Sequence, residues 1–179
     1  MAKPRTADPV KLLVAILRAP SGSLQDAVES LVHAWGEIDF TGSDHPFDMT
    51  DYYEPEMGES LNRRLVSFLN LVSPETLVPA KHLCNDIEDR LAGPQGRLVN
   101  LDVGYLDHNK IVLGSFKGAG QKIYLREGVW ADMVARYRGG RYVPFEWTFP
   151  DFRDGRYDEE LLEIRRNYLR QLRVLESSR

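Results

Sequence analysis

Cysteine is almost missing from this chain: Cys84 stands alone among 179 residues. A disulfide framework and a thiolate zinc cluster both need several cysteines at set spacings, so neither is open to it. Long hydrophobic runs are missing too. The apolar stretch Leu12–Leu17 is closed off by Lys11 and Arg18, far short of the ~20 residues that span a bilayer. Lys3 and Arg5 precede it, but the stretch is also too short for the core of a signal peptide. Basic charge is not in excess: 23 Lys and Arg face 27 Asp and Glu, a formal net charge of −4. The broad positive footprint of a nucleic-acid binder is therefore absent. These absences point to a cytoplasmic protein with no membrane segment, and against nucleic acid as its partner. The sequence also lacks a phosphate-binding G-x-x-x-x-G-K-[ST] loop, a G-x-S-x-G elbow and an H-E-x-x-H zinc helix.

What is present is the composition of a globular domain, 42% hydrophobic and 28% charged. With no linker, repeat or low-complexity segment, residues 1–179 read as a single domain. Val10–Leu17, apolar apart from Lys11, reads as a buried strand. Ser23 with Asp26 three residues on opens a helix carrying Leu24, Ala27, Leu31, Ala34 and Ile38 at helical spacing, with Gly36 near its stop. The segment Ile38–Gly58 is irregular, acidic and aromatic, with room for a strand near Ile38–Asp48. Arg64–Val72 reads as a strand. Ser73-Pro74-Glu75 starts a second helix bearing Leu77, Ala80, Cys84, Ile87 and Leu91, in which Pro79 predicts a kink or split.

From Leu98 the period shifts to strands: Leu98–Val103, Lys110–Phe116, Gln121–Leu125, Val129–Tyr137 and Arg141–Phe145, punctuated by glycine turns. A final helix spans Asp158–Glu176, with acids at its start and arginines towards its end, as the macrodipole favours. The order predicts an α+β fold: a ferredoxin-like split βαβ core, extended by an antiparallel β-meander and a C-terminal helix.

Three segments carry candidate chemistry. His45–Gly58 packs Asp48, Asp51, Glu54 and Glu56 together, and clustered carboxylate oxygens are what Mg²⁺ or Mn²⁺ requires. The structural alternative is a solvated acidic loop anchored by Phe47, Tyr52 and Tyr53. In Asn100–Lys110, Asp102 falls at a strand end beside Gly104, a place from which a rigid strand positions a functional side chain; the alternative is an Asx turn. Lys117–Lys122 offers small residues and lysines to an anion, or is a flexible hairpin. Cys84, on the apolar face of its helix, reads as core rather than nucleophile. Trp147 reads as the anchor of an aromatic strap, Glu146–Arg153, that packs the last helix onto the sheet.

The stretches PVKLLVAIL, DYYEPEMG, RLVNLDVGYL, IYLREGVWADM and RYRGGRYVPFEWTFPDFR resemble the bacterial and archaeal family known as domain of unknown function 4416. The resemblance runs in order over nearly the whole chain and implies a compact domain without implying a reaction. Val103 stands where relatives carry proline. Gly118–Lys122 replaces a Ser-His-Arg-like stretch, which leaves Lys122 as its basic residue.

Two functional expectations follow. The first is a small-ligand site, in a binding domain or an enzyme, for a phosphorylated or nucleotide-like ligand. There Asp51, Glu54 and Asp102 hold a divalent cation, while Lys110, Lys122 and Tyr105 contact the ligand. The second is a non-catalytic interaction module that docks through residues 45–58.

Overall fold

The computed structural model describes residues 3–177. The N-terminal half alternates strands and helices: β1 (Val10–Arg18), α1 (Leu24–Trp35), β2 (Ile38–Thr41), β3 (His45–Pro46), α2 (Glu54–Met57), β4 (Asn62–Val72) and α3 (Leu77–Arg90). A run of strands follows: β5 (Val99–Leu106), β6 (Lys110–Ser115), β7 (Ile123–Arg126), β8 (Val129–Arg138) and β9 (Arg141–Pro144). The chain closes with α4 (Pro150–Arg153) and α5 (Asp158–Ser177). All nine strands join one antiparallel sheet in the order β2-β4-β1-β5-β6-β8-β7, with β3 beside β4 and β9 beside β8. The fold is α+β.

β1 lies inside the sheet and is covered on both faces, which is why its sequence is a nearly unbroken apolar run. Leu12, Val14 and Ile16 pack against Ala27 and Leu31 of α1 and Ala80, Cys84 and Ile87 of α3. Leu13 and Ala15 point the other way, towards Leu161, Ile164, Tyr168 and Leu172 of α5. Alternation along one strand thus builds both cores of a three-layer molecule.

Local chemistry sets most element ends. Ser23 caps α1, its hydroxyl accepting from the Asp26 amide at 3.1 Å. Glu127-Gly128 and Gly139-Gly140 make the two-residue turns into β8 and β9 with positive φ at each position, as tight hairpins between right-twisted strands demand. Pro79 does not kink its helix. Pro74–Thr76 forms a separate 3₁₀ turn, and α3 begins at Leu77. Pro79 therefore falls in the first turn of α3, where an amide has no helical acceptor and its loss costs little.

β5 runs on to Leu106, so Asp102 lies in mid-strand rather than at a strand end. Gly104 does not stop the strand. It lets β6 approach, since a Cβ there would run into the Val112 carbonyl and the Leu113 side chain.

The strap before α5 is anchored differently from the expectation. Trp147 is 40% exposed, stacked on Phe145 with its indole nitrogen donating to Met133 O. The buried anchors are Thr148, whose hydroxyl donates to Val134 O, and Asp151 and Phe152. No described helix is long and apolar enough to cross a membrane.

Candidate functional site

β5 and β6 pair only from Gly104 to Leu106 against Ile111 to Leu113. Beyond that the two strands part, and the gap would leave β5 ladder groups without partners. Two side chains from α3 fill the role of a strand. Lys81 Nζ donates to Leu101 O at 3.2 Å, and Leu101 N donates to Glu88 Oε1 at 2.6 Å. Lys81 and Glu88 are seven residues apart, two helical turns, so both lie on the face of α3 that meets the strand. Burial pushes the Glu88 carboxyl above its ordinary range, against the charge of Lys81 and the Leu101 amide.

The parted strands enclose a cavity of about 210 Å³. Its floor is Asn100 and Asp102 of β5, Gly114 and Ser115 of β6 and Asp132 of β8; Lys81, Asn85 and Glu88 of α3 form one wall. Tyr52, Tyr53, Phe116 and Phe149 supply aromatic faces, and Arg97, Lys117 and Lys122 complete the lining. At the mouth Lys117 Nζ meets the Tyr52 hydroxyl and lies 4.9 Å over its ring, joining the loop after β6 to the loop before α2.

The hydrogen-bond accounting separates saturated groups from spare ones. Arg97 uses four of its five donors: Nε and Nη2 bind Glu56, and Nη1 reaches Glu88 at 3.0 Å and Asn100 Oδ1 at 2.8 Å. Asn100 is 4% exposed, and its side-chain NH₂ has no partner. Lys81, 8% exposed, gives one of its three donors, to Leu101 O. Lys122 donates to Ser115 Oγ at 3.0 Å and stands 3.5 Å from Asp132.

Behind the cavity stands a buried ion network. Arg63 is wholly inaccessible, its Nη2 donating to Asp102 Oδ2 at 3.0 Å and its Nη1 to the equally buried Asp151 at 2.6 Å. Tyr157 OH also donates to Asp151, at 2.9 Å, and the Phe47 ring lies 4.6 Å from the guanidinium. Burial opposes the arginine's charge, but the two carboxylates outweigh it and hold Arg63 more firmly protonated than usual.

The site residues expected from sequence divide between places. Asp102 and Lys122 line the cavity. Lys110 and Tyr105 line a separate hollow of about 250 Å³, where Lys110 pairs with Asp107. That Asp107 accepts the Asn109 and Lys110 amides, so the Asx turn foreseen at Asp102 forms here instead. Asp51 and Glu54 are exposed and outside the cavity. Among the described residues no group of three or more His, Cys, Asp or Glu is arranged to hold a metal ion. The trio Asp51, Glu54 and Asp102 is therefore not assembled, because Asp102 belongs to a buried strand and turns towards Arg63.

In the acidic segment Phe47 and Tyr53 are buried plugs, whereas Tyr52 is 59% exposed. Cys84 is fully buried, and burial pushes its thiol up, far from nucleophilic use. Sequence reasoning missed Lys81, Asn100 and Arg63. A signal for Lys81 existed: a lysine between Ala80 and Cys84 borders the apolar face of its helix.

Another hollow, about 640 Å³, lies beside Leu69–Leu71 and α5. The lysine behind it, Lys11, has all three donors engaged by Asp39, Phe68 O and Gln171 Oε1, so it reads as structural. The 210 Å³ cavity holds the unpartnered amide of Asn100 and the spare donors of Lys81.

The family model described as a domain of unknown function, DUF4416, matches residues 8–168. The chain belongs to the DUF4416 family. Every element from β1 to most of α5 falls within the match, as does every residue of the cavity. No curated protein and no solved structure matches the chain.

Proposed function

We propose that this DUF4416 protein binds a small phosphorylated ligand in the cavity between β5 and β6. The observation that carries the reading is the surplus of unspent donors. Lys81 has two, Asn100 has two, and the lysines of the 117–122 loop add more. A ligand rich in acceptors satisfies them, and a buried ammonium or amide left unsatisfied is costly. Phosphate supplies several acceptor oxygens and a charge to match the lysines. The volume of about 210 Å³ lies below the ~300–1,000 Å³ of drug-sized pockets, which favours a small phosphorylated molecule over a nucleotide. The aromatic faces suit its carbon skeleton.

In this reading β2-β4-β1-β5, with α1 and α3 on one face, is the ferredoxin-like unit, and β6 to β9 are an added meander. The ligand then sits where the two parts separate.

The test is calorimetric and thermal-shift titration of the purified protein with inorganic phosphate and propyl phosphate. Binding is expected for wild type, and a loss of tenfold or more in Lys81→Met and Lys122→Met. Unchanged affinity in both variants refutes the cavity as the anion site. The alternative, an interaction module docking through residues 45–58, has Tyr52 as its exposed aromatic. It expects a partner in a pull-down that is lost in Tyr52→Ala.

A further inference from the structure

An ionised carboxylate accepts hydrogen bonds and donates none. Asp102 uses Oδ2 for Arg63, and its Oδ1 has no hydrogen-bond partner among the described residues. Its side chain is 14% exposed and borders the cavity. A phosphate oxygen cannot complete it, because two anions at contact repel. The cavity thus carries two unlike demands: acceptors for Lys81, Asn100 and Lys122, and a donor for Asp102.

The donor demand is rigidly placed. Arg63 cannot swing away, since Asp151 holds its other nitrogen and Tyr157 in turn holds Asp151. Phe47 covers the guanidinium face. Asp102 is consequently fixed before any ligand arrives, and a fixed acceptor discriminates more sharply than a mobile one. Lys81 reaches the edge of β5 at Leu101 from the helix side, and Asp102 is the next residue along the strand. Asn100 and Asp102 are two apart on β5 and share a face of the strand, so an acceptor demand and the donor demand stand side by side in the cavity.

The charge balance chooses the kind of donor. Four cations, Lys81, Arg97, Lys117 and Lys122, line the cavity against three acids, Glu88, Asp102 and Asp132. Arg63 already pairs with Asp102, and Lys122 lies beside Asp132. A cationic group on the ligand is opposed by this balance, whereas a neutral hydroxyl is not.

We infer that the ligand is a short phosphorylated polyol or hydroxy acid, its phosphate on the lysines and a hydroxyl donating to Asp102. This rests on the anion-site reading above and extends it. Asp102 is the specificity-determining residue and Arg63 its positioning residue. Glycerol 3-phosphate and propyl phosphate are a matched pair, alike in chain length and phosphate but differing in hydroxyls.

Isothermal titration with both, and with O-phosphoethanolamine, tests the inference on the wild-type protein. Glycerol 3-phosphate is expected to bind about tenfold or more tighter than propyl phosphate, as a hydrogen bond to a charged acceptor implies. In Asp102→Asn, whose neutral amide oxygen is a weaker acceptor, that advantage is expected to shrink, and in Asp102→Leu, which has no acceptor, to vanish. Equal wild-type affinity for the matched pair overturns the hydroxyl inference and leaves the anion site standing. Tighter binding of O-phosphoethanolamine than of glycerol 3-phosphate overturns it in favour of an ammonium donor. Failure of all three to bind overturns both readings. The wild-type comparison needs no variant, so a misfolded Asp102→Asn would not protect the idea.

Discussion

Arg63 sits with no solvent contact between Asp102 and Asp151, at 3.0 and 2.6 Å. Two carboxylates share one cation there, so removing the cation leaves both uncompensated, Asp151 in a region that water does not reach. Arg63→Met is expected to destabilise the fold by about 3–5 kcal/mol in urea denaturation. Arg63→Lys is expected to recover only part of that, because an ammonium lacks the planar fork that reaches both acids. A midpoint in Arg63→Met equal to wild type would show the network to be dispensable.

Glu88 makes an opposite demand on the same region. Burial raises its carboxyl above the ordinary 4.5, so the folded state holds that proton more tightly than the unfolded chain. Its contribution to stability is present below about 4.5 and is lost as pH rises through the raised value. In Glu88→Gln no charge is desolvated, and stability between that pH and neutrality is expected to change less than in wild type. Denaturation midpoints over a pH series read this directly; parallel curves would rule it out. Both residues were hard to see in the sequence, since Arg63 stands beside the more exposed Arg64 and Glu88 among other charged helix residues.

The decisive pieces of architecture are one strand pair and one helix. β5 and β6 approach closely at Gly104, then part to open the cavity. Gly104→Ala places a methyl against the Val112 carbonyl, and backbone cannot yield as a flexible side chain does. A loss of about 1–3 kcal/mol is expected by thermal or chemical denaturation, the range for overpacking. A variant as stable as wild type would mean that β6 can shift outward without cost. α3 is read correctly from its apolar spacing, yet the same spacing hides its role, because Lys81 and Glu88 act as substitutes for a strand. The expected kink at Pro79 fails for a positional reason: the 3₁₀ turn at Pro74–Thr76 moves the helix start forward and puts the proline where it is harmless.

At the scale of the molecule, the cavity joins two parts of one sheet, so a ligand bound there contacts both and stabilises them together. At ~100 times its dissociation constant, a ligand adds about 2.7 kcal/mol, or roughly 5–10 °C in a domain of this length. A thermal shift of that size with glycerol 3-phosphate, abolished in Lys81→Met, is the expected whole-molecule signature. The sequence by itself determined the elements. Periodicity, caps and glycine turns act between residues close in the chain, and they carried the strands, α1, α3, α5, the buried Cys84 and the α+β class. The glycine beside it marked Asp102 as unusual, and the family resemblance marked Lys122. Only the tertiary structure decided what those residues face. Asp102 meets Arg63, 39 positions away, and Asp151, further still, completes the network. Asp51 and Glu54, closer in sequence to Arg63 than Asp102 is, stay outside the cavity. Local patterning sets which way each strand residue points, but strand order sets its neighbours. That order depends on burying both faces of β1 at once, which no local window of sequence contains.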